Sequence, residues 1–162
     1  MEKRFLMSDT GTTYKPEIRI YKPRKSNDGA ASKLQMKIVP TQYHSKVVVF
    51  WVATSQKGVD GNGNASFDWQ EDDKEVNMKL ESLDLANIIN TFTLITKETK
   101  LFHQNPRGNS TLTITKYDSG FNVRLSKKNG DKLVAVKHSI TPAEARILTI
   151  AFTDAISHMG WK

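Results

Sequence analysis

The sequence contains no cysteine among its 162 residues, which excludes disulfides, thiolate zinc sites and cysteine nucleophiles. No apolar run approaches the roughly 20 residues of a membrane-spanning helix, so no membrane partner is expected. Met1 to Met7 carries charge but no apolar stretch of signal-peptide length, and no transit peptide is seen. A cytoplasmic location is the expectation. Histidines are few, and His44, His103, His138 and His158 share no metal-ligand spacing. No base is paired with a nucleophile and no second carboxylate cluster supports the first, so neither an enzyme nor a bound metal or cofactor is expected.

Acidic residues are outnumbered, 17 against 24 Lys and Arg, leaving a net charge of +7 and a pI near 9.6. That balance points to a polyanionic partner. The charges are also segregated. Lys15 to Lys57 holds nine basic residues against Glu17 and Asp28, Gly58 to Asp84 holds eight carboxylates against Lys74 and Lys79, and Leu85 to Lys137 returns to nine basic against three acidic. Uniform solubility does not require such blocks.

Alternation predicts strands over Glu17 to Lys22 and Lys33 to Val39, the second with Leu34, Met36 and Ile38 on one face and Lys33, Gln35 and Lys37 on the other. Lys46 to Thr54, with Phe50 and Trp51, is apolar on both faces, as a central strand should be. A turn at Gly58 to Asn64 leads to Phe67 to Trp69 and then Val76, Met78 and Leu80, a fourth strand interrupted by acids. Ser82 is placed to cap a helix whose stripe is Leu85, Ile88, Ile89, Phe92 and Ile95. The pattern then begins again: strands at Lys100 to His103, Thr111 to Tyr117, Phe121 to Lys127 and Leu133 to Val136, with turns at Asp118-Ser119-Gly120 and Asn129-Gly130-Asp131. Thr141-Pro142-Ala143-Glu144 is a capping box that opens a second helix, striped by Ile147, Leu148, Ala151, Phe152, Ile156 and Met159 and ended by Gly160. The expected fold is α+β: two repeats of a four-stranded antiparallel sheet followed by a helix, 15–99 and 100–162, in a single domain over 1–162. Leu85, Ile88, Phe92, Ile147, Leu148, Ala151 and Phe152 should be buried.

Several segments fall in a familiar order: Phe67-Asp68-Trp69, Ser82 to Phe92, Leu101-Phe102-His103-Gln104-Asn105-Pro106-Arg107-Gly108, and Ile140-Thr141-Pro142-Ala143-Glu144 through Ala151-Phe152 to Gly160-Trp161. On these residues, from about Ile18 to the C-terminus, the chain resembles the whirly family of single-stranded DNA-binding proteins. More distantly it is similar to the positive-cofactor-four transcriptional coactivators, whose smaller unit is four strands and a helix. The resemblance implies a whirly-like fold, single-stranded DNA as partner, a homodimer or higher homo-oligomer, and a role in replication, recombination or transcription. One segment departs: the family's lysine-glycine-lysine-alanine-alanine-leucine is represented only by Tyr21-Lys22-Pro23-Arg24-Lys25 and a looser Gly29-Ala30-Ala31. Together with the missing transit peptide this sets the chain apart from plant organellar members and points to a bacteriophage or bacterial relative, acting in the host cytoplasm.

Proteins that hold single strands without sequence preference combine a cationic track for phosphates with aromatic faces for bases. The candidates are Arg19, Tyr21, Lys22, Arg24, Lys25, Lys33 and Lys37 in the first half. In the second half they are Phe102, His103, Arg107, Lys116, Tyr117, Arg124, Lys127 and Lys128. Trp51 and Phe50 read as core, and Trp69, beside Phe67, as a structural anchor ahead of a stacking platform. Two alternatives belong to other classes or targets: an RNA-binding module of the same fold, and a metal-dependent nuclease using the acidic 68–75 segment. Asp60, Asn62, Asn64, Asp68 and Glu71 match the calcium-loop spacing, but Ala65 stands where that loop needs glycine and strands flank it, so a hairpin loop is expected.

Overall fold

Alternation at the start of the chain becomes strand β1 (Glu17–Lys22), paired antiparallel with β2 (Ala30–Pro40) so that Ile18 faces Leu34 and Arg19 faces Lys33. The computed structural model describes residues 16–40, 42–43, 45–67, 69, 74–106 and 108–159. The doubly apolar run is the centre of β3 (Ser45–Val59), which takes β2 along Ser45 to Ser55 on one side. Its other side takes two partners, β4 (Ala65–Phe67) near its end and β5 (Glu75–Leu80) along Val49 to Thr54. The expected fourth strand is therefore split, and the first sheet has five strands. Fifteen residues of β3 span room for both, and a register shift between Gln56 and Gly58 separates them.

Helix α1 (Ser82–Phe92) starts one residue earlier than its sequence suggested: Glu81 is the N-cap, and its N–H donates to Asp84 Oδ2 at 2.9 Å. Ser82 is already helical. The helix also ends early. Leu94 takes a left-handed φ of 66°, Ile95 N–H returns to the Asn90 carbonyl at 2.8 Å, and Leu94 N–H returns to Thr91 at 3.1 Å. This is the glycine-type helix stop made with leucine. It leaves Ile95 exposed instead of on the stripe.

The second half is a meander of β6 (Glu98–Asn105), β7 (Gly108–Tyr117), β8 (Gly120–Asn129) and β9 (Lys132–Ile140), followed by α2 (Pro142–Ser157). Gly130, at a φ of 62°, makes the two-residue turn between Asn129 and Lys132. Thr141 caps α2 in a complete box with Glu144, with Pro142 at the start as expected. Gly160, expected to end it, lies outside the described residues. Two antiparallel sheets, each followed by a helix, are thus the architecture.

One apolar core joins both halves: Leu34, Trp51 and Met78 from the first sheet, Leu112, Leu125 and Val136 from the second, Leu85 and Ile88 from α1, and Leu148 and Phe152 from α2. Three expected core residues are not in it, and the first, Phe50, is half-buried on the outer face of the first sheet, paired with Gln35 and covered by the Lys37 ammonium. Ile147 is 54 % exposed and Ala151 only half-buried, because the inward stripe of α2 is Ala145, Leu148, Phe152 and Ala155 and Ile147 lies to one side of it. Ile150 is 65 % exposed beside Ile147. Among the described residues no helix is long and apolar enough to cross a membrane.

Candidate nucleic-acid interface

Both helices and both inner faces are spent on the core, so each sheet presents its other face to solvent. Cross-strand partners share a face. On the second sheet this aligns Lys100, Thr113, Arg124 and Lys137 in one row that crosses all four strands. Beside it runs a row of Phe102, Thr111, Ser126 and Ala135, in which Phe102 is 60 % exposed and its neighbours are small. A third row, Glu98, Thr115, Asn122 and Ser139, lies on the opposite side of the cations. Arg124 Nη1 donates to Ser126 Oγ at 3.2 Å.

The outer face of the first sheet is also cationic, but its charges are partly engaged. Arg19 is paired with Glu17 and donates to Tyr21 Oη at 3.0 Å, which raises its pKa further. Burial alone would raise the Glu17 carboxyl, yet hydrogen bonds from Arg19 and Gln35 hold it below the usual carboxylate range. Lys33 Nζ lies 4.7 Å from the centre of the Trp69 ring and Lys37 Nζ 4.9 Å from that of Phe50. Tyr21 contacts both Phe67, at 5.6 Å between ring centres, and Trp69, at 6.5 Å. Trp69 therefore sits in an aromatic cluster roofed by a lysine, consistent with an anchor.

A groove of about 970 Å³ runs between the two sheets. Tyr21 and Arg24 line it from the first sheet and the following loop; Tyr117, Asn122, Arg124 and Lys137 line it from the second. The loop that carries Arg24 is fixed from beneath by Gln56, which is buried. Its Oε1 accepts from Arg24 N–H at 2.8 Å and its Nε2 donates to the Arg24 carbonyl at 2.9 Å. Gly29 makes this possible, since a Cβ there would stand 2.3 Å from both Gln56 Oε1 and the Lys22 carbonyl. At the far end, a groove of about 710 Å³ is lined by Asn77 of β5 with Asn109, Lys127, Lys128 and Lys132.

No family model and no curated protein sequence matches the chain. Solved structures do match in fold. WHY1 from Arabidopsis thaliana superposes with a TM-score of 0.70 over 91% of this chain and 86% of that one, at 15% identity. WHY3 from the same plant gives 0.67 over 89% and 88%, at 17% identity. A guideRNA-binding protein complex bound to a gRNA gives 0.63 over 88% and 90%, at 14% identity. The chain has the whirly fold.

Within that fold the candidates separate. Arg19, Tyr21, Lys33 and Lys37 lie on the outer face of the first sheet; Phe102, Tyr117, Arg124 and Lys128 lie on that of the second. Arg24 and Lys25 are exposed in the loop after β1. Four candidates are placed elsewhere. Lys22 is half-buried in an ion pair of 2.6 Å with Glu144, which ties β1 to the start of α2. His103 is on the core-facing side, 3.3 Å from Asp84. Lys116 Nζ donates to the carbonyls of Tyr117 and Asp118 at 2.8 and 2.7 Å, closing the β7–β8 turn. Lys127 has the core-facing parity of its strand but lines the smaller groove at its end. Arg107 lies outside the described residues.

Sequence reasoning missed Lys100, Lys132 and Lys137. Lys100 has the parity of exposed Phe102, a pattern available from the sequence. Lys137 and Lys132 fell outside the predicted strand Leu133 to Val136, which is longer than expected at both ends. The calcium spacing resolves as a turn: Asp60 Oδ1 accepts the N–H groups of Asn62 at 2.8 Å and Asn64 at 2.9 Å. Of the nuclease reading, Asp68, Glu71, Asp72 and Asp73 lie outside the described residues. Among the described residues no group of three or more His, Asp or Glu side chains is placed to hold a metal.

Proposed function

We propose that this is a non-catalytic protein that holds single-stranded DNA across the outer faces of its sheets, by phosphate neutralisation and base stacking and largely without sequence preference. The observation that carries this reading is the row Lys100, Thr113, Arg124 and Lys137, with exposed Phe102 beside it. A flat sheet face with cations at strand spacing and an aromatic at its margin suits an unstacked strand better than a duplex. Self-association, as a dimer at least, belongs to the same reading, and exposed Ile147 and Ile150 on α2 support it. The setting we propose is replication, recombination or transcription in the cytoplasm; one protein of the same fold is described as a plant transcriptional regulator. RNA is the second reading, favoured by the likeness to a guideRNA-binding complex. The test is a titration of a labelled single-stranded DNA oligonucleotide with unlabelled competitors. Single-stranded DNA should compete best and duplex least. Stronger competition by RNA would move the protein to the second reading, and equal competition by duplex, or no binding, would overturn both.

A further inference from the structure

Flat faces can only stack, and stacking tolerates every base because every base has a π-face. Discrimination needs a hydrogen-bonding group held beside the base edge, in a place where a mismatched edge leaves that group unpaired. The large groove between the sheets offers such a place. Its wall on the second sheet carries the row Thr115, Asn122 and Ser139, adjacent to the cationic row of Arg124 and Lys137. Tyr21 and Tyr117 line the same groove and are both substantially exposed. Phosphate, base face and base edge thus each find a suitable group within one groove.

From this geometry we infer that Asn122 is a specificity-determining residue: it reads the edge of one base lodged in the groove, within an otherwise sequence-tolerant interface. The inference rests on the reading of these faces as a single-strand site. Asn122 is exposed on β8, flanked by hydroxyl side chains on both neighbouring strands, and its amide presents one donor and one acceptor side by side. Adenine matches that pair on two edges, through its exocyclic amine with either adjacent ring nitrogen, and guanine also on two, through its ring N–H with the adjacent carbonyl and its amine with the adjacent ring nitrogen, whereas thymine matches on its Watson–Crick edge alone. The class of ligand favoured at this position is therefore a purine nucleotide, which oligo-dA represents.

The experiment compares the affinities of the full chain for oligo-dA and oligo-dT of equal length, in the wild type, Asn122→Leu and Asn122→Thr. Self-stacking of free oligo-dA is common to all three proteins and cancels in the change of the dA/dT ratio. Threonine is a strong strand former, so the second variant keeps the test open if the first folds poorly. Both variants are expected to lower the dA/dT ratio by about fivefold or more while leaving the salt dependence of binding unchanged, because no phosphate contact is removed. A ratio preserved within about twofold in a folded variant overturns the inference and leaves the interface intact. A shallower salt dependence also overturns it, because Asn122 would then be serving phosphate. No binding by the wild type overturns the interface itself.

Discussion

Replacing Lys100, Arg124 and Lys137 together by glutamine removes the one row of cations that crosses the whole second sheet. If each contacts one phosphate, each contributes about 0.7 to the slope of log affinity against log salt for a single strand. The triple variant should then have a slope shallower by about 2, and at 0.1 M salt it should bind roughly a hundredfold more weakly. Across a fourfold rise in salt the wild type should lose about twentyfold more affinity than the variant. Fold should be kept, since the three side chains are on the solvent face and Arg124 gives up only a bond to Ser126. Lys116→Gln is the control: its Nζ is held by two turn carbonyls on the other side of the sheet, so slope and affinity should hardly move. Fluorescence anisotropy of a labelled oligonucleotide at four salt concentrations measures all of this. A triple variant with a normal melting curve and the wild-type slope would mean that no strand crosses the second sheet, and the face would have been chosen wrongly.

Gly29→Ala should destabilise the protein by about 1–3 kcal/mol in denaturant unfolding, because the added methyl meets Gln56 and the Lys22 carbonyl with no room to move. Leu94→Gly should stabilise it by about 1 kcal/mol, since glycine takes the left-handed conformation there without steric cost. His138 is half-buried with both ring nitrogens engaged: Trp51 Nε1–H donates to Ser32 Oγ at 2.9 Å, Ser32 donates to Nε2, and Nδ1–H donates to the Ser139 carbonyl at 3.0 Å. Burial, aided by nearby Lys22, holds its pKa below the usual value, so the unfolded chain takes up the proton first and stability must fall as pH drops from about 6.5, by at most tenfold per unit in the unfolding constant; His138→Asn should flatten that window. Ile147→Glu with Ile150→Glu should convert an oligomer to the 18.3 kDa monomer in sedimentation without loss of fold, and a wild type that is already monomeric would contradict the assembly.

The architecture was legible because it is written in period and punctuation. Phe121, Val123 and Leu125 are buried and Asn122 exposed, as two-residue alternation requires, and Thr141 to Glu144 carries its capping box in plain view. What could not be read depends on neighbours. β4 and β5 look like one interrupted strand until the length of β3 shows that both pair with it. Leu94 hides the end of α1, since a leucine in a position that favours glycine leaves no mark in the sequence, and Ile95 then extends the stripe by accident. Ile147 sits close enough to the inward stripe of α2 to pass for core. Only the direction of the packed face, set by Leu148 and Phe152 against both sheets, excludes it.

The candidate interface obeys a similar division, and the reason is parity. A lysine inside a strand is assigned to a face by its count from any buried neighbour, so Lys33, Lys37 and Arg124 could be placed on the outer faces from sequence. That rule needs the strand to extend past the residue. Lys137 escapes the rule because alternation predicts β9 only as far as Val136, and Lys116 has the parity of Ile114, which is fully buried, although its place beside a turn suggests access. Lys22 shows the converse: it shares the inward parity of Ile20, and at the end of β1 that side meets α2, where Glu144 waits for it. Burial alone would raise the Glu144 carboxyl, and Lys22 together with the Thr141 N–H lowers it instead, so this lysine is engaged by the fold before any phosphate can compete. A cation earns a place in an interface by facing solvent without such a carboxylate. On the second sheet Lys128 meets that condition, and so do Lys100, Arg124 and Lys137 in a single row, of which only Arg124 stands among the sequence candidates.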